Sequence, residues 1–274
     1  MNGKELAHAL KNGDYVYGTA ILSPSTVWPG IVASLGLDMV FIDTEHTPLS
    51  RETVSWMCAV YSRQNLAPIV RIPSPDPYQA CMALDAGATG VIAPYVETAE
   101  QVRKLVGAAK QKPVKGEKLQ KMLNRKQPFE PVLSDYINRQ NQENVLIINI
   151  ESVPAIEAMD EIFSIEGLDA VLIGPHDLSC SLGIPEQYDH PLFRQSVETI
   201  IRKARAHNVG AGVHTWEAVG YDQEILWAKS GANFIMHGSD VVLFKEAMQK
   251  DMRKLRESLD DVLIDNKTNI SFNV

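Results

Sequence analysis

Two acidic residues, each placed just after an apolar run, are the strongest chemical signal in this sequence. Glu151 follows the run Val145–Ile150, and Asp177 comes shortly after the run Ala170–Ile173. Continuous aliphatic and β-branched runs of this length are typical of strands buried on both faces of a parallel sheet. Two such strands would bring both carboxylates to one rim. Hard oxygen ligands of this kind suit Mg²⁺ or Mn²⁺, which leave coordination positions open for water and substrate.

Each acid also has a simpler interpretation. Asp177 could cap the helix that begins after Gly174-Pro175, and Glu151 could be a solvated charge at a strand end. Either acid alone is compatible with both interpretations. Two acids on neighbouring strands favour a metal site.

Further ionisable residues lie at the ends of two earlier apolar runs. Asp43, Glu45 and His46 end the run at residues 38–46, and Arg71 lies near the end of the run at residues 67–73. Histidine is the side chain best suited to proton transfer near neutral pH, so His46 is a candidate acid and base, and Asp43 and Glu45 could orient its ring or hold a metal-bound water. The guanidinium of Arg71 could hold a carboxylate or enolate oxygen with two hydrogen bonds. The alternative for Arg71 is a salt bridge to one of the same acids.

Several other mechanisms lack their residues. No lysine lies on a predicted strand, so a Schiff-base mechanism has no nucleophile there. The chain contains no G-x-S-x-G, no Walker loop and no G-x-G-x-x-G after a strand. His214 and His237, at the ends of later strands, are interpreted as structural or supporting residues. A metal-assisted lyase or proton-transfer enzyme remains.

The elements that must position these residues alternate regularly. Helical segments separate eight strand-like segments, at residues 15–22, 38–46, 67–73, 89–94, 145–152, 170–173, 210–215 and 234–240. Strict alternation predicts a parallel sheet, and eight strands predict a closed (β/α)8 TIM barrel whose catalytic groups lie at the carboxyl ends of the strands. We expect one domain over residues 1–274, with its core at about 13–258. Ser23-Pro24-Ser25 is expected to begin a helix that runs to about Leu35.

One long excursion, residues 111–144, interrupts the alternation between the helix after the fourth strand and the fifth strand. Its first part is basic, because the segment from Lys110 to Lys126 contains seven Lys and Arg residues against Glu117 alone. Such an excursion can cover an active site, form an oligomer contact or be a solvated helical insertion.

Composition excludes some partners and locations. Net charge is −8 and hydrophobic content is 45%, which supports a sizeable core and argues against a nucleic-acid partner. The three cysteines, Cys58, Cys81 and Cys180, have no metal-like spacing and are interpreted as reduced thiols of a cytoplasmic protein. No segment approaches the length needed to span a membrane, and the polar amino-terminal helix has no signal-peptide pattern.

Five motifs taken together resemble a known family. The stretches FIDTEH, VRIP, VIAPYVETAEQ, INIES and IGPHDLSCSLG, in this order, are similar to those of the HpcH/HpaI aldolase family, which is related to the citrate lyase β-subunit. The resemblance extends from about Gly13 to Ser258. It implies a class II, metal-dependent pyruvate aldolase of the 4-hydroxy-2-oxoheptanedioate aldolase type, built as a TIM barrel and assembled as a homo-oligomer, a hexamer or a trimer.

The resemblance also implies a role for individual residues. The matching acids, Glu151 and Asp177, bind a divalent cation that chelates the carboxylate and keto oxygens of pyruvate. The cation is expected to be Mg²⁺ or Mn²⁺, with Co²⁺ or Zn²⁺ as alternatives. The matching Arg71 stabilises the enolate oxygen, and the matching His46 works as the acid and base.

Further residues are implicated in the same way. Asp85 assists the histidine of a neighbouring subunit, and the backbone from Gly174 to Asp177, with Gly174 and His176 as the substrate-binding residues, contributes to the pocket for the substrate carboxylate. At Asn149, where this sequence has an asparagine, the family usually has a glutamine.

The leading hypothesis is therefore an aldolase that cleaves a 4-hydroxy-2-oxo acid to pyruvate and an aldehyde. One alternative is a carbon–carbon lyase acting on a CoA thioester, for which only the Lys110–Lys126 segment offers a basic groove. The other alternative is a non-catalytic barrel that retains an anion-binding pocket.

Overall fold

The computed structural model describes residues 1–215 and 220–261 and contains the predicted closed barrel. All neighbouring strands are parallel, in the order β1 to β8, and β8 pairs with β1. The strands are β1 Val16–Ile21, β2 Met39–Asp43, β3 Ala67–Arg71, β4 Gly90–Ala93, β5 Val145–Ile150, β6 Ala170–Ile173, β7 Gly210–Thr215 and β8 Phe234–Ser239. The (β/α)8 prediction is confirmed, with strand bounds that differ from the predicted ones by a few residues at most.

Helices connect the strands and surround them. They are α1 Gly3–Asn12, α2 Trp28–Val32, α3 Arg51–Arg63, α4 Pro77–Asp85, α5 Ala99–Lys110, α6 Gly116–Leu123, α7 Pro131–Asn141, α8 Val153–Glu157, α9 Met159–Phe163, α10 Pro175–Ser181, α11 Pro191–Ala206, α12 Tyr221–Lys229 and α13 Asp240–Ser258. Polar caps define several starts, such as Thr98, which accepts from the backbone N–H of Gln101 in a capping box. The first residues of the helix predicted after β7 lie at positions 217–219, outside the described residues.

The prediction of a helix from Ser25 to Leu35 was wrong at both ends. Helix α2 begins after Val27 and places Pro29 in its first turn, where the fixed φ of proline suits a helix start. The hydroxyl of Ser25 accepts a hydrogen bond from the backbone N–H of Val27 before the helix begins. At the other end, the backbone N–H of Leu35 donates to the carbonyl of Val32, so the chain leaves the helix in a tight turn.

Two apolar layers hold the barrel together. Inside, buried residues from alternate positions fill the cylinder, among them Phe41, Ile69, Ile147 and Phe234. The strands come close enough that a Cβ at Gly212 would lie 2.1 Å from the carbonyl oxygen of Phe234. The opposite faces of the strands pack against the helices in a larger outer cluster. Side chains alternate along a strand, so each strand contributes to both layers.

The inward-facing positions change from apolar to polar at the carboxyl ends of the strands. Above the layer that contains Phe41 and Ile69, the next inward positions on β2 and β3 are Asp43 and Arg71, which are paired in register. By the same alternation, two further buried residues point inward at the carboxyl end of the barrel. They are His214 on β7 and Glu151, which directly follows β5. The fold therefore gathers the buried charges at the mouth of the barrel.

The excursion at residues 111–144 forms α6 and α7, which pack on the outside of α5. Gly107 permits the close approach of α6, since a Cβ there would lie 3.0 Å from Leu123 and 3.4 Å from Leu119. Of the three interpretations, this packing favours a helical insertion over an active-site cover. Within residues 1–215 and 220–261, no helix combines the length and the apolar composition that crossing a bilayer requires.

Candidate active site

The carboxylate of Glu151 is buried at the mouth of the barrel, which excludes its interpretation as a solvated charge. The backbone N–H of Tyr95 donates to its Oε1 at 2.7 Å, and Asn149 Nδ2 donates to its Oε2 at 2.9 Å. These two bonds fix the orientation of the carboxylate. Asn149 thus supports Glu151 although it is one methylene shorter than the glutamine typical of the resembled family.

Asp177 approaches the same point from α10. A Cβ built on Gly174 would lie 2.8 Å from Glu151 Oε2 and 3.8 Å from Asp177 Oδ2, so both carboxylates border the space that the missing side chain leaves. Asp177 does not cap α10, since that helix has no side-chain cap hydrogen bond. The two acids predicted from the sequence therefore face each other across Gly174.

The electrostatics of this pair fit a divalent cation. Burial raises the pKa of Glu151, its hydrogen bonds with Tyr95 and Asn149 lower it, and the charges of Asp177 and Glu45 raise it, with a net increase. Asn149 Oδ1 is buried and has no hydrogen-bond partner among the described residues. Two converging carboxylates and one unpaired oxygen acceptor are groups that a hard cation and its water or substrate ligands would satisfy.

No group of three or more His, Cys, Asp or Glu side chains within residues 1–215 and 220–261 is arranged to hold a metal. A cation between Glu151 and Asp177 would take two protein ligands, which matches the way Mg²⁺ is usually held. The donor set therefore fits the expected metal and leaves positions for a substrate.

On the opposite part of the mouth, Arg71 is held in a buried fork. Its Nε donates to Asp43 Oδ1 at 2.9 Å and its Nη2 to Asp43 Oδ2 at 2.7 Å, while Glu45 Oε2 lies 3.2 Å from Nε. Burial alone would raise the pKa of Asp43, but the hydrogen bonds and charge of Arg71 bring it below its usual range. The salt-bridge interpretation of Arg71 is therefore realised in the structure, with two acids.

This pairing gives Asp43 a different partner from the expected one. Asp43 was a candidate to orient the ring of His46, but its carboxylate is occupied by Arg71 and by the backbone N–H of Glu45. The acid next to the ring is Glu45, whose Oε1 lies 3.6 Å from His46 Nε2. Register explains the difference, because Asp43 and Arg71 lie side by side on the inward face of β2 and β3.

Tyr95 is a site residue that the analysis of the sequence missed. Its backbone is left-handed, with φ of 55°, which is uncommon for a residue with a side chain and directs its N–H to Glu151. Its hydroxyl hydrogen-bonds Glu45, and this bond, burial and the nearby acids raise the pKa of the phenol. Tyr95 therefore connects Glu151 with Glu45. Its place in the VIAPYVETAEQ motif was the available signal.

His214 and His237 take positions consistent with supporting roles. His214 lies inside the barrel against the ring of Phe41, and burial together with the charge of Arg71 lowers its pKa to about 3. Its imidazole is therefore neutral. His237 faces away from the barrel interior, with Nδ1 2.9 Å from Glu224 Oε2.

Two further residues predicted from the resemblance do not add side chains to this mouth. The His176 side chain is exposed and lies near Cys180 and Glu186, so only its backbone can face a substrate beside Gly174. Asp85 ends α4 at the opposite, amino-terminal end of the barrel, where it pairs with Lys112 at 2.6 Å. Within one chain, Asp85 cannot reach His46.

Fold and site together define a barrel with two converging carboxylates and a buried arginine at its mouth, an arrangement suited to metal-assisted carbon–carbon bond chemistry. The HpcH/HpaI aldolase/citrate lyase family model matches residues 24–247, so the chain belongs to this family. Its enzymes are carbon–carbon lyases that act on small 2-oxo acids and generally use a divalent cation. The resemblance inferred from the motifs is thereby confirmed.

Named relatives agree. A 2-keto-3-deoxy-L-rhamnonate aldolase of Klebsiella pneumoniae subsp. pneumoniae is 31% identical over 241 residues, 88% of this chain and 89% of that protein. A hydroxypyruvate/pyruvate aldolase of Roseovarius nubinhibens is 30% identical over 250 residues, 90% of this chain and 95% of that protein. The crystal structure of an HpcH/HpaI aldolase from Desulfitobacterium hafniense is 29% identical, with a TM-score of 0.78 and coverage of 92% and 96% of the two chains.

Proposed function

We propose that this protein is a metal-dependent aldolase that cleaves a 4-hydroxy-2-oxo acid into pyruvate and an aldehyde. The observation that supports it most is the convergence of Glu151 and Asp177 on the space beside Gly174. Glu151 is buried and Asp177 is exposed at the rim, and two carboxylates placed so close repel each other, a repulsion that a cation between them would relieve. When bound there, a divalent metal supplies a Lewis acid that stabilises negative charge on the oxygens of the 2-oxo acid.

Arg71 is proposed to stabilise the enolate that cleavage leaves behind. Its fork with Asp43 uses Nε and one N–H of Nη2, and a guanidinium has five N–H donors, so donors remain for a ligand. Because Asp43 and Glu45 already hold the side chain in place, Arg71 needs no rearrangement when charge develops on the substrate. The backbone from Gly174 through His176 is proposed to bind the substrate carboxylate.

His46 is proposed to move the proton between the hydroxyl group of the substrate and the methyl carbon of pyruvate. Its ring is partly exposed at the mouth, and Glu45 lies next to its Nε2. The buried His214 has too low a pKa to exchange protons near neutrality. Glu45 takes the orienting role first considered for Asp43.

The CoA-thioester alternative loses its supporting feature. The basic segment from Lys110 to Lys126 packs against the second half of α5, towards the amino-terminal end of the barrel. Glu151 and Asp177 lie at the carboxyl end. We therefore prefer the small 2-oxo acid as substrate.

A homo-oligomer, a trimer or hexamer, remains part of the proposal. Helix α13 exposes a row of apolar side chains, Phe244, Met248, Met252, Leu255 and Leu259, at helical spacing. A second copy could cover this row, and Asp85 could reach His46 only from another copy. The free thiols of Cys58, Cys81 and Cys180 support the cytoplasmic location.

The decisive experiment follows the exchange of pyruvate methyl protons with solvent deuterium by NMR, with Mg²⁺ or Mn²⁺ and with excess chelator. Exchange passes through the enolate and needs no knowledge of the aldehyde. We expect rapid exchange with metal and background exchange with chelator. Background exchange under both conditions would count against a pyruvate aldolase and favour the non-catalytic, anion-binding barrel.

A further inference from the structure

A second cavity lies at the opposite end of the barrel from Glu151 and Asp177. Its volume is about 560 Å³, within the usual range for small-molecule sites. The end of α1, the second half of α5, both insertion helices and the loop before β6 form its walls. Because this loop and the end of α5 lie at the amino-terminal end of the strands, we call it the basal cavity.

The basal cavity is basic in an acidic protein. Lys11, Arg103, Lys110 and Arg125 line it, and among the residues that the structure describes Glu166 is the single acidic one in its lining. The chain as a whole carries a net charge of −8. These four cations face three nearby acids, Asp169 behind the lysines, Glu100 beside Arg103 and Glu166 in the wall, so positive charge is in slight excess and favours an anionic ligand.

A buried acid behind the cavity holds both lysines in place. Asp169 is fully buried, with Lys11 Nζ 2.9 Å from its Oδ1 and Lys110 Nζ 2.6 Å from its Oδ2. Lys110 also donates to the carbonyl of Asn144. An ammonium group has three donors, so Lys11 keeps two and Lys110 one for a ligand. Their positions are fixed before a ligand binds, which lowers the entropic cost of binding.

The two arginines are less engaged. Arg125 is exposed and has no ion-pair partner within residues 1–215 and 220–261, and Arg103 pairs with Glu100 at 3.3 Å on the surface. Guanidinium groups match phosphate oxygens with paired hydrogen bonds. Beside them the wall is apolar, formed by Val106, Met122 and Leu123. The cavity thus offers both anion donors and a surface for an uncharged group.

We propose that the basal cavity is a binding site for a small organic phosphate of mononucleotide size. The phosphates would contact the two arginines and the spare donors of the two lysines, and the uncharged part of the ligand would pack on Met122 and Leu123. The insertion at residues 111–144 supplies one wall of the site, including Arg125, Met122 and Leu123. The basal cavity is separate from the aldolase site and does not depend on the proposed reaction.

The test is isothermal titration with adenosine diphosphate at low ionic strength, with adenosine and inorganic pyrophosphate as partial ligands. We expect adenosine diphosphate to bind more tightly than either part alone, and at least tenfold more weakly to Arg125→Gln and to Arg103→Gln. Arg63→Gln is the matched control, because Arg63 is an exposed arginine in the last turn of α3, at the same end of the barrel and outside the cavity. It should bind like the wild type.

A Glu151→Gln protein separates this site from the proposed active site, since it should bind adenosine diphosphate like the wild type even if no aldolase activity exists. Wild-type affinity weaker than about millimolar would overturn the proposal, since that is the level of non-specific anion contacts. Equal weakening by Arg63→Gln, or none by Arg125→Gln and Arg103→Gln, would do the same. Citrate binding as tightly as adenosine diphosphate would overturn the assignment to phosphates.

Discussion

The two sides of the barrel mouth differ in whether their acids have a cationic partner within the chain. On the β2–β3 side, the Asp43 carboxylate and the Arg71 guanidinium satisfy each other, and burial is compensated within the chain. On the β5–β6 side, Glu151 faces Asp177, with hydrogen bonds from Tyr95 and Asn149 but with no cationic side chain paired to either acid among the described residues. On the first side the paired charges compensate each other, although the neighbouring Glu45 Oε2 is buried without a hydrogen bond among the described residues. On the second side the two acids are proposed to share a cation.

The contrast is between an acid that is paired within the chain and two acids of the same chemical type that are proposed to bind a cation. Arg71 lowers the pKa of Asp43 despite its burial, whereas burial and neighbouring acids raise the pKa of Glu151. An acid that a cationic partner keeps ionised stabilises the fold. Two acids that repel each other favour the binding of a cation, because the cation removes the repulsion. The same substitution, carboxylate to amide, should therefore act differently on the two sides.

The largest effect is expected on the β5–β6 side. Glu151→Gln and Asp177→Asn each remove one of two cation ligands, so metal-dependent exchange of pyruvate protons should fall to background. Titration with Mn²⁺ followed by electron paramagnetic resonance should show affinity lowered by about two orders of magnitude or more, in line with the sensitivity of metal sites to their surroundings. Full exchange by either variant would contradict the assignment of these acids as ligands.

The second largest effect is expected for His46. This residue lies on the β2–β3 side but is proposed to act on a substrate bound at the β5–β6 side. His46→Ala should lower kcat by roughly 10²- to 10⁴-fold, the usual contribution of a general acid or base. Mn²⁺ affinity should stay unchanged. A variant that altered only KM would make His46 a positioning residue and require another base.

The comparison is tested most directly by unfolding. Asp43→Asn leaves the buried Arg71 with a weakened partner and should reduce the free energy of unfolding by about 3–5 kcal/mol, as for broken buried ion pairs. Glu151→Gln is the matched variant, and in metal-free buffer it should be as stable as the wild type. Urea denaturation of both proteins measures the contrast. Equal losses in the two variants would show that the two sides do not differ.

The pH dependence of the same measurement has a defined sign. Because the folded protein lowers the pKa of Asp43, the stabilisation is present above the ordinary carboxyl pKa and is lost as the pH falls through the lowered value. The wild type and Asp43→Asn should therefore converge in stability only in strongly acidic buffer. If the difference in unfolding free energy between the wild type and Asp43→Asn stayed the same in strongly acidic buffer, the destabilisation would come from packing and not from the charge of Asp43.

The sequence contained enough to predict the barrel and the location of its site. Buried parallel strands read as uninterrupted apolar runs, and the charged residue after each run must reach the rim because the strands are parallel. For that reason Glu151, Asp177, Arg71 and His46 could be predicted to lie at the rim. The prediction needs only the position of each residue relative to the end of an apolar run, which is a local property of the chain.

Pairing at the mouth could not be predicted in the same way. Whether Arg71 contacts Asp43, Glu45 or a ligand depends on the register of β2 against β3, and register is set by tertiary packing. The N–H of Tyr95 reaches Glu151 only because of a left-handed backbone that no turn residue announces. The basal cavity likewise required knowledge of where the insertion packs.

The smallest effect is expected for Arg71. This residue lies on the β2–β3 side, paired with Asp43, and is also proposed to stabilise the enolate. Arg71→Lys keeps a positive charge near Asp43 but removes the planar fork. The variant should fold and bind Mn²⁺ like the wild type, with stability closer to the wild type than that of Asp43→Asn.

Its chemistry should be impaired, because an enolate oxygen is stabilised mainly after its charge has developed. Loss of one preorganised donor typically costs about 10²- to 10³-fold in rate, and we expect pyruvate proton exchange to slow by the lower part of that range because the charge remains. Arg63→Lys, on the outside of α3, is the control and should exchange at the wild-type rate. Exchange indifferent to Arg71→Lys would make Arg71 a purely structural partner of Asp43, so that the β2–β3 side would supply only its fold and His46 to the reaction.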